Sequence, residues 1–144
     1  ARRENDYNGV SSALNNIGYL YDKMGRHEAA LPYFQEDLTL SREAADQQGQ
    51  SIAVGNIASI LASLGRHEAA IPYIEEAIEI DGAIGFLPHK AYYHLQYGTS
   101  LRALGREEEG CGELREALRI AREVDFPSII EGAGEKLADC GDTE

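Results

Sequence analysis

Apolar side chains recur three and four residues apart along most of the chain, in blocks that halt at a glycine and resume beyond it. The first block reads Leu14, Ile17, Leu20, Tyr21 and Met24 before the halt, then Ala30, Leu31, Phe34 and Leu38. The second reads Val54, Ile57, Leu61 and Leu64, then Ala70, Ile71, Ile74 and Ile78; the third reads Tyr97, Leu101 and Leu104, then Leu114 and Leu118. Such spacing lines one face of an α-helix, so each block predicts two helices flanking a turn. Gly25, Gly65 and Gly105 stand where a helix C-terminus needs a residue tolerant of positive φ. Glu28, Glu68 and Glu108 open the following helix, where the helix dipole favours negative charge.

The blocks are copies of one another. MGRHEAALPYFQEDLTL from Met24, LGRHEAAIPYIEEAIEI from Leu64 and LGREEEGCGELREALRI from Leu104 lie 40 residues apart. A fixed period of roughly 20 to 50 residues marks a stack of units, each burying its apolar face against its neighbours. Small residues seven positions before each turn glycine (Gly18, Ala58, Gly98), and five after it at Ala30 and Ala70, predict closely approaching helices. The third copy departs at His94, in an apolar position, and at Gly110, in place of the small alanine, which predicts a looser second helix there. Pro32 and Pro72 predict a tilted first turn in the second helices. DGAIGFLP, from Asp81 to Pro88, predicts an early helix end and a protruding loop.

The pattern L-x-x-[I/L]-G-x-x-Y, then G, then A-x-x-x-F, carried by Leu14, Ile17, Gly18, Tyr21, Gly25, Ala30 and Phe34, resembles the tetratricopeptide repeat. Val54, Ile57, Ala58, Leu61, Gly65, Ala70 and Ile74 carry it in the second copy. The longer period and the wording around GRHEAALPYF look like the repeats of kinesin light chains and of large bacterial regulators. The resemblance implies an all-α, right-handed α-solenoid of antiparallel helical hairpins. On this reading residues 1–8 end a preceding repeat, 9–46, 47–86 and 87–125 form three repeats, and 126–144 give the first helix of a truncated fourth. The chain is then expected to be a piece of a longer protein, with exposed ends that allow self-association.

Charge narrows the partners. Lys and Arg number 13 against 25 Asp and Glu, a formal net charge of −12, which repels nucleic-acid backbones and anionic membrane surfaces. No stretch approaches the roughly 18 consecutive apolar residues of a membrane span, and no apolar segment follows the opening ARREND as a signal peptide requires. Cys111 and Cys140 lie in separate repeats without metal-type spacing, which argues against a disulfide or zinc site and for a reducing, cytoplasmic setting.

Chemistry finds little purchase. His27-Glu28 and His67-Glu68 start as H-E-x-x-H does, but neither has the second histidine. His89 and His94, five apart, point to different helix faces. We expect no catalytic residue, metal or cofactor. The resemblance instead implies a groove lined by the first helices. Asn16, Asn56 and Gln96 stand two positions before the small residue of successive copies, at the position that resembles the ligand-contacting asparagine of peptide-binding members. An amide offers one acceptor and two donors, and so can pair with the N–H and C=O of an extended segment. Tyr19, Ser59 and Thr99 lie one turn on, with Arg102 beyond and Asn15 flanking. The same amides could equally bridge adjacent first helices. Few groove cations argue against a carboxylate clamp, and the acidic balance points to a neutral or basic protein or peptide segment. The rival reading is a structural module that self-associates or docks within its own chain.

Overall fold

The structure, a computed structural model, describes residues 2–141, with side chains from residue 6 onward. Its helices are α1 (Arg2–Lys23), α2 (His27–Glu43), α3 (Gln47–Ser63), α4 (His67–Ile84), α5 (Leu87–Ala103), α6 (Glu107–Glu123) and α7 (Pro127–Ala138). From α2 onward they start at residues 27, 47, 67, 87, 107 and 127, so the 40-residue period of the sequence is a 20-residue period of the backbone. Each junction is one tight turn with a residue at positive φ: Gly25, Ala45, Gly65, Gly85, Gly105 and Asp125. In the turn at Gly65, the Arg66 N–H reaches back to the Leu61 carbonyl at 2.8 Å and the Gly65 N–H to Ala62 at 2.9 Å. These bonds satisfy carbonyls that a helix end otherwise leaves free.

That regularity corrects three expectations. Asp81 to Pro88 forms no protruding loop. α4 runs on to Ile84 and is one residue longer than α2 and α3. Gly85 then turns the chain at φ 76°, the Phe86 N–H returns to the Asp81 carbonyl at 2.9 Å, and Pro88 falls in the first turn of α5, where a missing N–H is tolerated. The glycine and proline are cap residues rather than breakers. The described part of residues 1–8 does not close an earlier repeat, because α1 passes through Asn5 and Asp6, counterparts of Ala45 and Asp46, without a turn. The third hairpin is not loose either. A Cβ on Gly98 would lie 2.7 Å from the Gly110 carbonyl oxygen, and one on Gly110 would lie 2.8 Å from that of Gly98. Two facing glycines thus set the backbones of α5 and α6 directly against each other.

The core follows the stack. Phe34, Val54, Ile57, Ile60 and Ile74 centre one cluster over α2 to α5, and Ile120, Ile129 and Ala133 centre a second over α5 to α7. Tyr92 packs against both clusters and makes the core continuous. Phe34 sits where only Gly18 leaves room, since a Cβ there would meet its ring at 2.8 Å. Pro32 and Pro72 are exposed, and α2 and α4 run past them unbroken. His94 is buried and compensated, its Nδ1 standing 2.7 Å from Glu113 Oε1.

Cys111 and Cys140 form a disulfide, Sγ to Sγ 2.06 Å, and the expectation of unpaired cysteines is overturned. The argument for a reducing compartment falls with it. Antiparallel helices bring together residues equally far from their turn, and these two lie fourteen and fifteen positions on either side of Asp125. At the other end of the stack, α1 leaves Val10, Ile17, Leu20 and Met24 exposed on one stripe, whereas Ile57 and Ile60 on α3, the counterparts of Ile17 and Leu20, are buried in the first core cluster. Among the described residues, no helix is long and apolar enough to cross a membrane, and no cluster of His, Cys, Asp and Glu is placed to hold a metal.

Candidate protein-binding groove

The odd-numbered helices stand side by side as the first members of their hairpins. α3 touches α5 and α5 touches α7, but α1 and α3 barely meet. Between those two lies an open recess of about 440 Å³. Tyr7, Asn8, Ser11, Ser12, Asn15 and Asn16 of α1 form one wall, Gln48, Gly49 and Ile52 of α3 form the other, and Asp37 of α2 and Asp46 complete the lining.

Two carboxylates organise the recess. Ser11 donates from Oγ to Asp37 Oδ1 at 2.5 Å. Asp46 caps α3, accepting the Gly49 N–H at 3.0 Å, while its other oxygen accepts the Tyr7 hydroxyl at 2.7 Å. A Cβ on Gly49 would meet that carboxylate at 2.5 Å, so a glycine is needed for Tyr7 to reach across. Asp37 is 3% exposed. Burial pushes its carboxyl above the ordinary range, the Asp46 charge pushes the same way, and hydrogen bonds from Ser11 and Asn15 pull it back.

The expected binding residues divide into two groups. Asn15 and Asn16 line the recess. The Asn16 and Asn56 side chains make no hydrogen bond among the described residues, and Asn16 is exposed while Asn56 is half-buried. Tyr19 is exposed on α1, with the Lys23 ammonium 5.4 Å from its ring centroid. The others are engaged internally. Gln96 donates to the Tyr92 hydroxyl at 2.7 Å, and Thr99 donates to the Leu95 carbonyl at 2.9 Å, both within α5. Ser59 lies 3.4 Å from the Tyr93 hydroxyl, and Arg102 spans from Glu107, at 2.6 Å, to the Lys136 carbonyl of α7, at 3.1 Å. The amide row therefore does not run as a ladder from one first helix to the next.

The next seam holds features that the sequence reading missed. Tyr93 lies over Gly55, where a Cβ would meet its hydroxyl at 2.5 Å. Beneath it, Ser51 donates to Asp81 Oδ1, and His89 Nδ1 stands 2.7 Å from Asp81 Oδ2 and 3.3 Å from Ser51 Oγ. The His89 ring stacks on Phe86 with centroids 4.7 Å apart. Serine, histidine and aspartate meet here without forming a nucleophile. Ser51 and Asp81 are fully buried, and the hydroxyl gives its proton to the carboxylate rather than to the imidazole. The cluster ties α3, α4 and α5 together. Its trace in the sequence is faint, because Ser51 follows the polar start of α3, Gln47 to Gln50, and does not stand out from it.

The tetratricopeptide repeat model matches residues 9–83, and a model described as anaphase-promoting complex subunit 5 matches residues 89–131. Among curated proteins none matches the chain. Solved structures similar to it include a Podosopora anserina chain of the kinesin light chain type with nearly identical TPR-like repeats (14% identity, TM-score 0.75, 91% of this chain and 66% of that one). BtubC (BKLC) from P. vanneervenii is 19% identical at TM-score 0.73, over 92% and 60%. A Rap protein complexed with competence and sporulation factor is 17% identical at TM-score 0.77, over 94% and 41%. At these identities the likeness shows the fold alone. The chain spans from 41% to 66% of the length of these three structures.

Proposed function

Because the chain belongs to the tetratricopeptide repeat family, we propose that it is a non-catalytic module that holds an extended protein or peptide segment along its first helices, as part of a larger regulatory protein. The observation that carries this reading is the open polar recess beside the unengaged amides of Asn16 and Asn56. A segment entering at α1 would exchange main-chain hydrogen bonds with these amides and continue past Gln96, with Tyr19, Ser59, Thr99 and Arg102 contacting its side chains. A similar fold is complexed with a factor in the Rap protein. The net charge of −12 favours a neutral or basic segment.

Affinity capture from the native lysate, beside an Asn16→Ala, Asn56→Ala, Gln96→Ala variant of equal helicity, tests the groove. Loss of the captured partners in the variant supports it, and an unchanged set sinks it. One observation favours a second reading, in which the stack self-associates through the exposed stripe of Val10, Ile17, Leu20 and Met24 on α1. A light-scattering mass that stays monomeric across a concentration series removes that reading.

A further inference from the structure

We propose that the recess between α1 and α3 receives the cationic head of an arginine or lysine side chain carried by the bound segment, with Asp37 and Asp46 as its acceptors. The inference rests on the groove reading and names the chemistry of its first subsite.

Three observations converge. The first is the cavity: about 440 Å³, open to solvent, with no lysine or arginine among the described residues that line it. The second is a contrast in charge pairing. Several carboxylates of the second helices pair with arginines, Glu76 with Arg42, Glu28 with Arg66, and Glu116 and Glu123 with Arg119, and the buried Asp81 stands beside His89. Asp37 is more deeply buried than any of these glutamates, yet the groups acting on it are the hydroxyl of Ser11, the amide of Asn15 and the like charge of Asp46. A buried carboxylate without a counter-ion is costly in its charged form, and a cation entering the recess removes that cost. The third is remaining acceptor capacity. A carboxylate has about four lone-pair sites, and each oxygen of Asp46 is seen to accept one hydrogen bond. The fork of a guanidinium or the three donors of an ammonium fit what is left.

The test uses amide chemical shifts of the isotope-labelled chain, titrated with Nα-acetyl-arginine amide and with its uncharged counterpart Nα-acetyl-citrulline amide. We expect shifts centred on Ser11, Asn15, Asp37 and Gly49, and an affinity about tenfold higher for the charged probe. Asp37→Asn and Asp46→Asn should each abolish the difference. Asparagine caps a helix about as well as aspartate, so the second variant serves if the first does not fold. Equal affinity for the two probes, or shifts centred elsewhere, overturns the proposal. A capped Ser-Ala-Thr repeat peptide, with and without one central arginine, separates this failure from that of the groove. If both peptides shift Asn56 and Gln96 equally, the groove stands and the cation subsite falls. If arginine amide fills the recess while neither peptide moves Asn56 or Gln96, the subsite stands and the groove falls.

Discussion

Between α3 and α5 the ring of Tyr93 rests on Gly55, whereas between α1 and α3 the same two positions, forty residues earlier, hold Ala53 and Asn15. The helices and turns around both seams follow one plan. In the second seam the aromatic ring fills the space, and the polar groups beneath it, Ser51, Asp81 and His89, are consumed in bonds to one another. In the first seam the alanine cannot reach across and the space stays open, although Ser11 is bonded to Asp37 and Tyr7 to Asp46 along its floor. Two side chains therefore decide whether a seam of the stack is filled core or available surface. A repeat architecture lets neighbouring units differ in this way without altering the frame.

The comparison can be broken most forcefully at its aromatic member. Tyr93→Ala should cost about 3 to 5 kcal/mol in chemical denaturation, and should leave a second recess that binds a small aromatic probe absent from the parent. Next comes the far end of the stack, where the hairpin of α6 and α7 is closed covalently. Cys140→Ser should lower stability by about 3.6 kcal/mol, as expected for a closed loop of about thirty residues, while leaving the amide shifts of the α1–α3 recess in place. The converse of the first substitution is sharper but smaller. Asn15→Gly with Ala53→Tyr should copy the second seam into the first, abolish arginine-amide binding, and change stability by about 1 to 3 kcal/mol from imperfect fit. The smallest effect belongs to Asp37→Asn, within about 1 kcal/mol. Its sign is informative. A carboxyl raised by burial is penalised when charged, so the amide variant should gain at neutral pH, and the gain should vanish as the pH falls below the ordinary carboxylate range. A gain that persists in acid would place the cause elsewhere.

Much of the frame was legible because helical periodicity and copied turns are local signals. Gly25, Gly65 and Gly105 marked the hairpin turns, and Gly18 and Phe34 marked a tight pair of helices. The junctions between repeats were harder to read. Ala45 and Asp125 adopt positive φ without being glycine, which hid the 20-residue period, and Gly85 then looked like an interruption rather than the regular member of a series. The disulfide was hidden for a related reason. Pairing two cysteines in different repeats required the register of α6 on α7, which emerges only once the turn at Asp125 is counted as equivalent to the others. Of the candidate surface, the row of amides could be read, but its occupancy could not. Whether Gln96 faces a ligand or bonds to Tyr92 depends on side-chain torsions that no spacing encodes.

A stack held only by nearest neighbours can open one member at a time, like a zipper with two pulls. Here the pulls differ. Among the described residues α1 packs chiefly against α2 and leaves its apolar stripe uncovered, while α7 is fastened to α6 by a covalent bond close to its last turn. Amide exchange should therefore be fastest along α1 and spread inward from there. The recess, formed against that first helix, would then vanish and reassemble as α1 lifts and settles, so a bound segment would slow the opening of the whole chain by latching its loosest slat.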